Sequence, residues 1–322
     1  MSIIHQVLGR WLPCLLLPWF VASCDRNSMD GDGRPLVVAT TTMAADLVRE
    51  VAGERVNVVG LMGPDVDPHS YVPRLGDTRL LERAGLVAYN GHHLEGRLQR
   101  TLEEMGARGR RVIALAETLD ASRLLGAGDG FPGMYDPHVW GDPRLWAEVV
   151  PPLVEALVAL DPAGEAHFRE RGAAYVAELA ELDSWIRETV AAIPPEHRVL
   201  VTSHDAFHYL GTAYGLEVRG LQGVSSASEA GLRDRSELVA FLRASGVPAV
   251  FSESTLNAKG IAAVAGEAGV RLASDVLFSD ALGKPGHTFS HDGSTHDRGT
   301  YLGMMKHNII TISNNLKNSL LD

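Results

Sequence analysis

The stretch 162–193, PAGEAHFRERGAAYVAELAELDSWIRETVAAI, decides the architecture. Its apolar positions Phe168, Tyr175, Leu179, Leu182, Ile186, Val190 and Ile193 recur mostly at steps of three or four, the spacing of one helix face. Asp161-Pro162 supplies a start signal and Pro194-Pro195 an abrupt stop. Roughly 30 residues at 1.5 Å each make a rod of about 45 Å. On its N-terminal side, short β-branched runs at 36–39, 56–61, 86–89 and 111–115 alternate with amphipathic segments at 43–52, 77–84 and 95–105. On its C-terminal side, strands are expected at 199–202, 216–221, 249–252 and 270–273, and helices at 206–214, 233–244, 258–268 and about 298–315. Strands separated by helices imply βαβ units and parallel sheets. The expected fold is therefore α/β, with two parallel-sheet lobes, 35–160 and 196–322, joined by one long rigid backbone helix at 161–195. The two series also match in type: Val59-Gly60-Leu61 with Arg219-Gly220-Leu221, and Ala84-Gly85-Leu86 with Ser245-Gly246-Val247.

Composition narrows the class of partner. The 322 residues are 45% hydrophobic and 21% charged, as in folded globular chains, and the formal net charge of −11 gives a nucleic acid nothing to attract. The two cysteines, Cys14 and Cys24, lie near the N-terminus, so the body has no disulfide, no cysteine-based zinc knuckle and no thiol nucleophile. The apolar run 11–22 is too short for a permanent membrane span. It ends in Val21-Ala22-Ser23-Cys24, which resembles the lipobox of bacterial lipoproteins. That resemblance implies a signal peptide at 1–23, a diacylglycerol on Cys24 and a flexible tether at 24–34. Asp25 resembles an inner-membrane retention cue.

Thirteen histidines are present, and their placement is what matters. The tripeptide Asp-Pro-His occurs twice, at 67–69 and 136–138, each time in a Pro- and Gly-rich segment. Imidazole is the commonest protein ligand for transition metals, and a preceding proline restricts the backbone that carries it. In open α/β sheets, ligands bind beyond the carboxyl ends of the strands. His69, His138, His204 and Asp280 all fall in such positions, two from each lobe. Three imidazoles and one carboxylate would fill a tetrahedral sphere, the arrangement of a holding site rather than a catalytic one.

Six stretches then carry a resemblance: 67–73 (DPHSYVP), 90–96 (NGHHLEG), 136–143 (DPHVWGDP), 201–209 (VTSHDAFHY), 223–230 (GVSSASEA) and 301–308 (YLGMMKHN). Together they resemble the cluster A-I metal-binding lipoproteins of bacterial ABC importers. The resemblance implies metal clamped between two lobes by His69, His138, His204 and Asp280, with zinc or manganese as transported cargo. It also implies an ABC permease with its cytoplasmic ATPase as partner, and a monomer lipid-anchored on the extracytoplasmic, periplasmic face of the cell membrane. Histidine at position 204, where many manganese importers carry glutamate, leans towards zinc.

Other residues carry less. His287, His291 and His296 in the Gly-rich segment 283–299 read as a solvated surface loop, with a metal-capture loop as the sharper alternative. His92 and His93 read as packing or supporting residues. Asp67 and Asp136 read as imidazole-orienting or turn-capping, and Glu253 as support for the site. The run 126–130 lacks the strand and helix of a nucleotide loop, and Met304 and Met305 read as core. Two rival functions are a secreted zinc hydrolase using the three histidines, for which no His-Glu-x-x-His segment or base is evident, and a surface adhesin. A stiff helix between lobes permits little hinge closure, so small-angle scattering profiles of metal-free and metal-loaded protein should superimpose; a large compaction would contradict that.

Overall fold

The computed structural model describes residues 33–128, 131–228 and 230–317; the expected signal peptide, the lipobox and most of the tether lie outside the described residues. The chain opens with β1 (Leu36–Ala39), α1 (Thr42–Ala52), β2 (Asn57–Gly60), α2 (Leu75–Arg83), β3 (Leu86–Tyr89), α3 (Gln99–Ala107) and β4 (Val112–Ala114). These strands form one parallel sheet in the order β2-β1-β3-β4. β1 is buried throughout, as a strand covered on both faces must be. Val37 and Ala39 face the main core, while Leu36 and Val38 face a second cluster with Leu81, Leu98 and Leu102 of the α2–α3 layer.

After the sheet comes α4 (Pro143–Leu160), a helix the sequence reading did not expect. Pro151-Pro152 looks like a break, because proline removes a helix hydrogen bond. Yet Leu145, Trp146, Val149, Val150, Leu153, Val154 and Leu157 form one buried face, and Pro151 sits on the exposed side, where water can reach the freed carbonyls. The segment 162–193 becomes a 3₁₀ turn (Pro162–Gly164) followed by α5 (Glu165–Ala191), 27 residues long. Its buried face, Phe168 through Val190, packs on α4 and α1. Gly172 lets α4 and α5 approach closely: a Cβ there would lie 2.7 Å from Val154 Cγ2.

The second series comprises β5 (Val199–His204), α6 (His208–Tyr214), β6 (Glu217–Gln222), α7 (Leu232–Ser245), β7 (Ala249–Val250), α8 (Lys259–Ala268) and β8 (Arg271–Leu272). Regular parallel ladders join β5 to β6 and β7 to β8, and Phe251 N donates to Val201 O at 2.8 Å between them. The resulting order, β6-β5-β7-β8, repeats that of the first sheet. Residues 283–299, expected as a loop, fold instead as an antiparallel hairpin of β9 (Thr288–His291) and β10 (Ser294–Asp297). Its alternation carries little apolar character, and Phe289 anchors it against Arg298 and His307. The closing helix, α9 (Tyr301–Lys317), packs on α5 and α1 and buries Met304 and Met305, as expected.

One polar contact ties the ends of the chain together. Asp46 of α1 is buried and accepts from Tyr301 N at 2.8 Å, capping α9. Burial, against that hydrogen bond, raises its pKa from 3.8 to about 7. A raised carboxyl pKa means that the folded state holds the proton more tightly, so stability present below about pH 4 is lost as pH climbs through 7. Asp46→Asn should remove that loss: in urea titrations of metal-free protein, the variant should gain on wild type by more than about 1 kcal/mol between pH 5 and 8. Parallel pH profiles would contradict the assignment.

Candidate metal centre

Four side chains named from the sequence meet at the carboxyl ends of the strands. His69 lies in the loop after β2, His138 in the loop between β4 and α4, and Asp280 in the segment after β8. His204 is the last residue of β5 itself, two residues beyond the expected strand end. All four are buried, and their donor atoms lie within 4.8 Å of one another. His69 Nε2 is 3.3 Å from His138 Nε2, and Asp280 reaches His204 Nε2 at 3.1 Å, His138 Nε2 at 3.3 Å and His69 Nε2 at 3.8 Å. Around a tetrahedral ion with bonds near 2.0–2.1 Å, neighbouring donors stand about 3.3 Å apart. The spacing fits such an ion. Among the described residues this is the one cluster of at least three such donors with that geometry; His287, His291 and His296 form none.

Local structure aims each ring. Asp136 Oδ1 accepts from His138 N at 3.0 Å and lies 2.7 Å from His138 Nδ1. Glu253 does the same for His204, accepting from its N–H at 2.8 Å and standing 2.6 Å from Nδ1. Each carboxylate fixes both the backbone and the tautomer of one histidine, leaving Nε2 for an ion. Asp67 acts differently: it accepts from His69 N at 2.9 Å, from Ser70 Oγ at 2.7 Å and from Ser226 Oγ at 2.7 Å, which holds the loop rather than the ring. Gly96, at φ +46°, abuts the His69 carbonyl so closely that a Cβ would meet it at 2.5 Å.

The electrostatics fit a place for a cation. Asp280 is 1% exposed, and neither carboxylate oxygen has a hydrogen bond of ordinary geometry among the described residues. An unpaired buried carboxylate is costly, so the site needs positive charge. Without metal, protons supply it. Although burial opposes the charge on His138, Asp136 and Asp280 raise its pKa to about 9. Glu253 and Asp280 likewise outweigh burial and hold His204 well above the usual imidazole range, while His204 and His138 hold Asp280 far below the carboxylate range despite its burial. His69 has no such carboxylate on its ring, and burial lowers it to about 4. One imidazole is therefore neutral and ready; two carry protons that an ion must displace.

The remaining candidates fall outside the cluster. His92 stacks edge-on against Tyr135, and its backbone and that of His93 adopt positive φ in the tight turn 90–96. Gly126 bridges to Tyr135 in an antiparallel pair; 129–130 lie outside the described residues. Sequence reasoning passed over Glu95. It is fully buried and accepts from Thr40 Oγ1 at 2.8 Å and Asn90 N at 2.7 Å, while Asn90 Nδ2 donates to Pro137 O at 2.9 Å. This links the strand ends to the loop of His138. The Glu in 90–96 is its only sequence signal.

Two α/β halves with a buried nitrogen-rich donor cluster at their strand ends define a metal-binding protein of the two-lobe periplasmic type. The chain belongs to the family described as zinc-uptake complex component A, periplasmic, whose profile matches residues 37–315. It is 41% identical over 302 residues to the zinc-binding protein TroA of Treponema pallidum, covering 92% of this chain and 94% of that one. It is 40% identical over 315 residues to the manganese-binding lipoprotein MntA of Bacillus subtilis, covering 96% and 99%. The solved structure of periplasmic zinc-binding protein TroA superposes with a TM-score of 0.82, covering 89% of this chain and all of that one.

Reference imidazole values would place the loss of metal affinity below about pH 6. The raised His138 and His204 values extend it upward. Calorimetric zinc titrations at pH 7 in buffers of differing ionisation enthalpy should show release of about two protons, and affinity should keep rising up to about pH 9. A flat affinity between pH 7 and 9 would show that these histidines are neutral before the ion arrives.

Proposed function

We propose that this chain is the extracytoplasmic solute-binding component of an ABC importer, taking up zinc or manganese through His69, His138, His204 and Asp280 and passing it to a membrane permease coupled to a cytoplasmic ATPase. One observation carries the reading: a fully buried carboxylate faces three imidazole nitrogens at distances suited to a four-coordinate ion. The names of the zinc-binding and manganese-binding relatives support the choice of cargo. Three nitrogens against one carboxylate favour zinc by donor type and by the Irving–Williams order.

The same donor set argues against the hydrolase alternative, since four protein donors leave no place for a metal-bound water and Glu253 is committed to His204. The chain would act as a monomer held at the cell membrane through a lipid on Cys24, its tether 24–34 letting the body reach the permease. Helix α5 would join lobe 35–160 to lobe 196–322. Relatives named as a manganese-binding lipoprotein and as metal ABC transporter substrate-binding lipoproteins support the anchoring.

Protein purified without added metal or chelator should contain about one equivalent of zinc or manganese by elemental analysis, and a His138→Ala/Asp280→Ala variant should contain almost none. Retention of a full equivalent by that variant would place the ion elsewhere. His204→Glu should move competition titrations towards manganese; unchanged competition would remove residue 204 as the selector.

A further inference from the structure

Asp280 belongs to the C-terminal half, and the segment that carries it is also bonded to the N-terminal half. The segment leaves the second sheet at Leu277, whose N–H donates to Ser252 O at 2.9 Å and whose carbonyl accepts from Ser254 N at 2.9 Å. Phe278 is then held by α9, its N–H donating to Asn308 Oδ1 at 2.9 Å and its carbonyl accepting from Asn308 Nδ2 at 2.7 Å, and Gly283 N donates to Arg298 O at 2.8 Å; between these points two bonds reach the N-terminal half. Trp140, two residues past His138, donates its indole Nε1–H to Ser279 O at 3.0 Å. Thr42, at the start of α1, accepts from Leu282 N through Oγ1 at 2.8 Å. These bonds fall one residue before and two residues after Asp280, and span 139 and 240 residues of sequence. Residues 279–282 are buried, so water cannot readily replace a lost partner. Trp140 is itself fixed, because its carbonyl accepts from Tyr301 Oη at 2.7 Å and its ring lies edge-on to His138 at 5.3 Å. The Asp280 carboxylate meets the imidazoles of the site at 3.1, 3.3 and 3.8 Å, and the backbone on either side sets where it stands.

Resting on the metal-site reading above, we infer that Trp140 and Thr42 are positioning residues for the fourth donor, holding the backbone of Asp280 against the half that carries His69 and His138. Neither Trp140 nor Thr42 touches the ion; each acts through the backbone that carries Asp280.

A double-mutant cycle on the full chain tests this. Thr42→Val and Trp140→Phe keep bulk and remove one hydrogen bond each. Each should weaken zinc binding about 10-fold in competition titrations, in the range found for groups that orient metal ligands, and change the visible bands of protein loaded with cobalt(II) alone. Thr42→Ser keeps the acceptor and should bind like wild type. In an Asp280→Ala background, Thr42→Val and Trp140→Phe should have less than about a 2-fold further effect, because residues acting through one group are not additive. Equal losses in both backgrounds, or wild-type affinity and cobalt spectra in both single variants, would overturn the inference while leaving the site intact. Wild-type affinity in Asp280→Ala alone would instead overturn the site reading, and this inference with it. If Trp140→Phe fails to fold, the Thr42 arm of the cycle decides.

Discussion

A carboxylate buried away from water is the constraint around which the centre is arranged. Asp280 sits where water cannot solvate it, so a neighbouring positive charge has to stabilise it. The surrounding structure meets that demand through other carboxylates. Asp136 and Glu253 each grip one histidine by backbone and ring, raising the basicity of nitrogens that face Asp280. Three acids and two protonated imidazoles make a nearly balanced, dry cluster. Exchanging two protons for one divalent ion leaves the total charge unchanged, so the centre can fill and empty without stranding charge in the interior.

The fold supplies the meeting place. Parallel strands end at one edge of each sheet, and both sheets wind in the same order, so their loops converge from two sides. α5 lies beneath, with α4 and α1 on one flank and α9 on another. The main core runs from Val37 to Leu316 and includes side chains of both halves, so the edges that carry the donors rest on one continuous apolar base.

Much of this was legible in the chain because it depends on period and punctuation. Strands β1 and β3 fall where β-branched runs put them, and α5 departs from the segment 162–193 by three residues at its start and two at its end. The four donors could be named because strand-end loops concentrate ligands. Helix α4 was hidden by Pro151-Pro152, a local signal overruled by the packing of seven apolar side chains. Hairpin β9–β10 was hidden because its strands carry mostly polar and small residues, and cross-strand pairing leaves little trace in such a sequence. Glu95, Trp140 and Thr42 were hidden for a deeper reason: their partners include main-chain N–H and C=O groups, which every residue has. A side chain that orients a backbone cannot be found by looking for its complement.

The double grip of Asp136 and Glu253 has one more consequence. When a single acid holds both the amide and the ring of the same residue, the direction of the ring is written into the main chain. Such a cage cannot remould itself around whatever arrives. Calcium requires six to eight oxygens and magnesium a near-octahedral shell of them, and a preset group of three nitrogens with one acid offers neither. Such hard cations are thus refused by donor chemistry before affinity for softer ones comes into play.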